Sequence, residues 1–201
     1  MGGRAEGDRV AHPLFQVEGG GSQPTSALQL WVHRVAYEKA RDLNAKWHSR
    51  LPRIGDPANV MQRTPCYAAT FGDVIYAVAI WSHPVSRALP QTEWLELRRL
   101  AVAPDAPKNT ASRMLAVMAR LLRRDAPDVV RLISYQDTET HTGGIYRAAG
   151  WEPTAAVPYS PWNKPNSRNL SGNPRRRPEC QSKATKQRWE KALCRTSSGR
   201  S

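Results

Sequence analysis

The sequence predicts a mixed α/β domain: a partly antiparallel sheet with a bulged fourth strand, flanked by helices. Three stretches carry that expectation. "CYAATFGDVIYAVAIW" (66–81) reads as two β-rich runs hinged at Gly72–Asp73, the signature of a tight hairpin. "EWLELRRLAVAP" (93–104) is apolar on odd positions at Leu95 and Leu97, then on even ones at Leu100 and Val102. A strand changes face only by gaining a residue, so the switch at Arg98–Arg99 predicts a β-bulge; a strand buried on both faces is the competing reading. That strand then passes through a short loop into a helix-patterned segment and on to another strand, the order of a strand–helix–strand unit.

The remaining elements follow in chain order. Residues 1–26, with Gly19–Gly20–Gly21 and little periodic apolar character, are expected to be a disordered leader. "LQLWVHRV" (28–35) is a first strand, and 36–48 has helical spacing through Ala36, Ala40, Leu43 and Trp47. Pro52, Gly55 and Pro57 make 49–60 a loop. Asn109 or Thr110 can cap the next helix, whose face carries Met114, Leu115, Met118, Leu121 and Leu122 before Pro127. "VVRLISYQD" (129–137) is a strand, "TGGIYRAAG" (142–150) a short helix stopped by Gly150, and Trp151 opens another strand. Beyond "PYSPWNKP" the chain turns Pro-, Arg- and Ser-rich, and "KATKQRWEKAL" (183–193) is expected as a short basic helix. The order is β-α-β-β-β-α-β-α-β without an internal repeat. Three regions are implied: a leader at 1–26, a catalytic domain at 27–163 and a basic tail at 164–201.

A chain of 201 residues with 40% hydrophobic content suits one core. Its net charge of +13 is uneven. Residues 164–201 hold eleven Lys/Arg and two Glu, against nineteen basic and fifteen acidic groups elsewhere. Such a tail either neutralises nucleic-acid phosphates or simply solubilises the end of the chain. Cys66, Cys180 and Cys194 form neither a disulfide framework nor a zinc spacing, which points to a reducing, cytoplasmic setting. No 18-residue apolar run, secretory signal or myristoylation pattern is present, so no membrane partner is expected.

"VAPDAPKNTASRML" (102–115) joins a strand to a helix N-terminus, the usual cradle for a phosphate, yet contains no glycine. Asn109, Thr110, Ala111 and Ser112 are small or capping residues that leave amides for an anion, and Lys108 adds charge. Pro107 removes one donor.

"LRRLAVAP" before a capped helix, with "IYRAAGW" downstream, resembles the GNAT acyltransferase fold over about residues 28–157. More closely, "KWHSRLPRI", "LELRRLAV", "KNTASRML", "SYQD", "HTGGIYRAAGW" and the tail ending in "KQRWEKAL" resemble the Mom family of phage DNA-modification proteins. The resemblance implies a DNA substrate, carbamoylmethylation of the exocyclic amine of adenine, and protection from restriction. It also implies an acetyl-CoA or related acyl-CoA site and a bound iron(II). The backbone of Leu100 and Val102 would face the thioester, and Arg99 and Ser112 with the 108–112 loop would hold the cofactor. Tyr146, four residues before Gly150–Trp151, falls where the GNAT pattern has the tyrosine that protonates the leaving thiolate.

Asp137, at the C-terminal end of a strand, is a candidate general base or metal ligand, or else the cap of the following turn. Tyr146 is a general acid or a core tyrosine packed on Trp151. His48 is a base, a metal ligand or a helix C-cap. His48, Asp137 and Tyr146 together would offer N and O ligands to iron(II). Glu96 is a further carboxylate, ranked after Asp137, and His141 has no evident role. Tyr135, Trp162 and Trp47 are candidates to stack an extruded base, or ordinary core and rim aromatics. Two other functions compete: an N-acetyltransferase of a small amine or protein, and a non-catalytic nucleic-acid-binding protein.

Overall fold

The computed structural model describes residues 23–48, 54, 65–158 and 184–193. After a single helical turn at Ala27–Gln29 come β1 (Trp31–Arg34), α1 (Tyr37–Trp47), β2 (Cys66–Phe71), β3 (Val74–Ser82) and β4 (Trp94–Val102). They are followed by α2 (Thr110–Asp125), β5 (Arg131–Asp137), α3 (Gly144–Ala148), β6 (Glu152–Val157) and β7 (Lys186–Ala192). The strands form one seven-stranded sheet in the order β1-β2-β3-β4-β5-β7-β6. Every neighbouring pair is antiparallel except β4 and β5, which run parallel. This is the mixed, mostly antiparallel sheet that the sequence predicts. Among the described residues no helix is long and apolar enough to cross a membrane.

Each face of the sheet has its own core. On one face, Ala40 of α1 packs over Cys66, Ala68, Val78, Ile80 and Ala101, with Leu43 and Trp47 at the rim. On the other, α2 buries Met114, Leu115, Met118 and Leu122 against Trp81, Leu95, Leu97, Leu132, Trp151 and Trp189. The strict helical spacing of those four residues is why α2 takes the larger core.

The bulge lies where the phase change predicts. Ile80 pairs with Arg99 and the next residue, Trp81, pairs with Leu97, so Arg98 is the inserted residue. It turns Glu96, Arg99 and Ala101 to the α1 face, and Leu97, Leu100 and Val102 to the α2 face. The hairpin turns at Gly72, whose φ of 54° is the left-handed conformation glycine adopts freely.

The C-terminal segment corrects the sequence reading. Residues 186–192 are not a basic helix but β7, inserted between β5 and β6, so part of the expected tail belongs to the sheet. Lys, Gln and Glu are poor strand formers, but this segment finds backbone partners on both edges, and Trp189 and Leu193 reach the core. Residues 28–30 likewise belong to a helical turn and its cap rather than to the first strand. Most of the leader, most of the 49–60 loop, Trp162, Cys180 and Cys194 lie outside the described residues.

Candidate active site

β4 and β5 form a ladder only at Trp94–Arg131, Leu95–Leu132 and Glu96–Ile133. Both strands continue, to Val102 and Asp137, without pairing with each other beyond that point. The bulge at Arg98 sits at the start of this divergence and bends β4 away from its neighbour. A wedge therefore opens at the C-terminal ends of two parallel strands, where open α/β sheets place ligands.

The α1 side of the wedge is lined by titratable groups. Glu96 is buried; its Oε2 accepts the Val85 N–H at 2.8 Å, and Arg98 Nε lies 3.6 Å from its Oε1. Burial holds its carboxyl above the usual range, outweighing the Val85 bond and the Arg98 charge. Arg99 lies on the same face, its guanidinium affinity for protons lowered by burial and then by Arg98, with Glu96 and Tyr37 acting against. His48 is the C-cap of α1, its N–H bonded to the Asn44 carbonyl at 2.8 Å. Its imidazole is held below the ordinary histidine value by burial, then by the charges of Arg99 and His141. The structure thus brings His48, Arg99 and His141 into one electrostatic neighbourhood, giving His141 a place that the sequence alone did not.

Strand alternation puts Tyr135 and Asp137 on this same face, beyond the Glu96–Ile133 pair. Burial and then the Glu96 charge push the Tyr135 phenol up. Asp137 Oδ1 accepts the Glu139 N–H at 3.1 Å and its carbonyl accepts that of His141 at 3.1 Å. Asp137 therefore shapes the turn after β5 while remaining half-exposed at the wedge.

Tyr146 stands on the opposite face. It is 8% exposed, with its hydroxyl 2.9 Å from Ser134 Oγ. Its ring stacks on Trp189 at 5.2 Å and meets Trp151 edge-on at 5.8 Å. Burial pushes the phenol above its ordinary value, against the bond to Ser134, so it stays protonated at neutral pH. The packing on Trp151 that the core reading of Tyr146 expects is present.

The 103–109 loop explains its missing glycines. Asn109 adopts φ 67°, the only left-handed non-glycine among the described residues, and so makes the turn a glycine otherwise would. Its side chain makes no capping bond. Instead the hydroxyls of Thr110 and Ser112 donate to the Pro107 and Asn109 carbonyls at 2.7 and 3.0 Å. Ala111 and Ser112 lie in the first turn of α2, where amides have no intrahelical acceptors, and Lys108 is exposed nearby. Leu100 and Val102 face α2, whereas Arg99 faces α1. Among the described residues no group of three or more His, Cys, Asp or Glu is placed to hold a metal. The His48, Asp137 and Tyr146 set does not fit iron(II): the Tyr146 hydroxyl is bonded to Ser134 in the core on the α2 face, while His48 and Asp137 lie on the α1 side.

Sequence reasoning ranked Glu96 second and missed Ser134, Gln136 and Trp189. The available signal was a lone large aromatic, Trp189, within the charged run "KQRWEKAL".

A model of the Mom protein family matches residues 66–193. Among solved structures, a Bacillus subtilis acetyltransferase in complex with CoA is 13% identical and covers 82% of this chain and 99% of its own, with a TM-score of 0.54. The Salmonella typhimurium protein yncA, with its cofactor acetyl-CoA, is 11% identical and covers 84% and 96%, with a TM-score of 0.57. The ribosomal-protein-S18-alanine N-acetyltransferase of Escherichia coli is 13% identical and covers 81% and 92%, with a TM-score of 0.52. The fold is that of the GNAT acetyltransferases. No curated protein matches the chain.

Proposed function

The chain belongs to the Mom protein family, and from that premise we propose that it is a DNA-modifying transferase on a GNAT scaffold. It places a carbamoylmethyl or acyl-derived group on the exocyclic amine of adenine, protecting the DNA from restriction. The observation that carries this reading is the wedge between β4 and β5, with a buried carboxyl on one side and a buried phenol on the other.

An acyl-CoA would lie in the wedge along 97–102, with its pyrophosphate against the Ala111 and Ser112 amides and the Lys108 charge. The left-handed turn at Asn109 fits that role, since it exposes the first amides of α2. Bound there, the thioester supplies an acyl carbon open to attack by an amine. Glu96 is the stronger base candidate: its burial raises its proton affinity, while Asp137 is half-exposed. For the acyl product, as the new C–N bond forms and the C–S bond breaks, Glu96 takes the proton lost by the amine. Tyr146 gives its own proton to the departing sulfur. His48 and Arg99 set the charge around the acceptor. No step is routed through iron, since the ligand set does not form.

The net charge of +13 supports a polyanionic partner, and an extruded base makes the adenine amine reachable. The host cytoplasm is the compartment where such DNA is found. The catalytic unit extends through β7 to about residue 193. Mass spectrometry of nucleosides from DNA co-expressed with the protein tests the proposal. A modified adenine is expected, and its composition tells an acetyl from a carbamoylmethyl product, which differ by one N and one H. Unmodified adenine from an active preparation would refute it. The E. coli neighbour named above favours one alternative, N-acetylation of a small amine or protein. Turnover of acetyl-CoA with such an acceptor, without DNA, would establish it. DNA binding with no turnover would instead mark a non-catalytic nucleic-acid-binding protein.

A further inference from the structure

We propose that Trp189 of β7, working with Gln136 of β5, is the positioning residue for Tyr146 and for the 138–143 turn, so that the C-terminal strand completes the active site. This rests on reading Tyr146 as the proton donor. Trp189 pairs with Ser134 across the β5–β7 ladder, so its indole emerges beside the hydroxyl that Tyr146 bonds. Its ring lies 12° from parallel with the Tyr146 ring.

The polar edge of the indole is used as fully as its face. Trp189 Nε1 donates to Gln136 Oε1 at 2.6 Å, and Gln136 Nε2 donates to the His141 carbonyl. One buried amide therefore ties the indole to the turn that carries His141 and leads into α3. Gly143, the N-cap of α3, passes directly over this pair. A Cβ there would lie 2.5 Å from Trp189 Cζ2 and 2.6 Å from Gln136 Oε1. Arg147 closes the stack, its guanidinium carbon 5.3 Å from the indole and its Nη1 on the Thr142 carbonyl at 2.7 Å. A buried indole N–H needs an acceptor in any case; here that acceptor is an amide that carries the link on to the His141 carbonyl. Three attachments that converge on α3 are what holding a phenol in one place requires.

Trp189→Phe keeps a stacking ring and removes the Nε1 donor; Gln136→Leu keeps the stack and cuts the link to the turn. Each is made in the full chain, alone and with Tyr146→Phe, and folding is checked by circular dichroism. The Tyr146 titration is read as the tyrosinate absorbance difference between each protein and its Tyr146→Phe partner. Both variants are expected to move that titration down toward the ordinary tyrosine range. Both are also expected to lower kcat for DNA-dependent CoA release by about tenfold or more, with KM for acetyl-CoA within about twofold. Folded variants with unchanged Tyr146 titration and unchanged kcat would overturn the proposal and leave Trp189 a packing residue. If Tyr146→Phe itself keeps full activity, the donor reading fails, yet a shifted titration still establishes the positioning. Should Trp189→Phe fail to fold, Gln136→Leu decides, because it leaves the ring in place.

Discussion

Replacing Gly143 by alanine tests the architecture under Tyr146 without touching any proposed chemical group. Two costs can be worked from the structure. Gly143 has φ +79°, and an L-residue held in that region costs about 1–2 kcal/mol. Alanine also narrows the unfolded ensemble, returning about 0.4–1 kcal/mol. The second cost is steric: the new Cβ would sit 2.5 Å from Trp189 Cζ2, a rigid ring atom, and 2.6 Å from Gln136 Oε1, the end of a side chain that Trp189 and the His141 carbonyl hold in place. Overpacking of this kind costs about 1–3 kcal/mol. The sum is roughly 2–4 kcal/mol, or a fall in Tm of about 10 °C for a chain of this size. Gly72→Ala is the control, because its φ of +54° carries the same backbone strain while no atom lies within 4 Å of the added Cβ. It should cost about 1 kcal/mol and about 3 °C. Differential scanning calorimetry of the two variants reads the difference directly. Equal shifts would mean that the indole does not lie against Gly143, and the account of α3 would fall with it.

Glu96→Gln separates stability from catalysis. Because burial holds the folded-state pKa of Glu96 above its ordinary 4.5, its stabilising contribution is complete below that value and is lost as pH rises through the folded-state pKa. Glutamine keeps an oxygen for the Val85 amide, so the variant should melt at or above the parent near neutral pH and lose that advantage in acid. Transfer should fall at least tenfold and the acid limb of its pH profile should vanish; a lower Tm at neutral pH would contradict the assignment. Tyr146→Phe leaves the Ser134 hydroxyl, 2% exposed, without its partner, costing about 1–3 kcal/mol, and adding Ser134→Ala should recover part of that loss in chemical denaturation. Strict additivity would show that the two hydroxyls are not bonded. Cys66 is buried, with its thiol pushed up to about 12, so peptide mapping after iodoacetamide treatment of the native protein at mildly alkaline pH should find it unlabelled.

Where one physical rule governed a segment, the sequence was enough. The bulge was legible because alternation along 95–102 leaves no other way to bury both Leu97 and Leu100 on one face. α2 was legible from its helical stripe, and the hairpin from Gly72. The rest failed for stated reasons. β7 has almost no apolar periodicity of its own and becomes a strand only because β5 and β6 offer it two edges, a tertiary fact. Asp137 and Glu96 look equivalent as letters; their burial separates them. The proposed iron set was three residues of suitable chemistry whose separation across the sheet no spacing reveals.

That separation organises the site. Alternation along β4 and β5 sends Glu96, Tyr135 and Asp137 to one face and Ser134 to the other, where Tyr146 meets it. A base and an acid on the same face would sit within reach of each other and exchange a proton directly. Held on opposite faces, with the wedge between them as the shared space, the two groups do not exchange a proton directly. For acyl transfer this arrangement has a consequence that the two residue types alone do not. On the proposed reading, the amine approaches from the α1 side, beside His48, Arg99 and His141, and the sulfur leaves toward the α2 side, beside Tyr146. The Arg99 guanidinium on the acceptor side repels a protonated polyamine and tolerates a neutral adenine amine attached to phosphate. Substrate choice between those two classes therefore falls to Arg99. Arg99→Glu should weaken transfer to DNA while raising any turnover of spermidine with acetyl-CoA, and an unchanged ratio of the two rates would refute the two-sided reading.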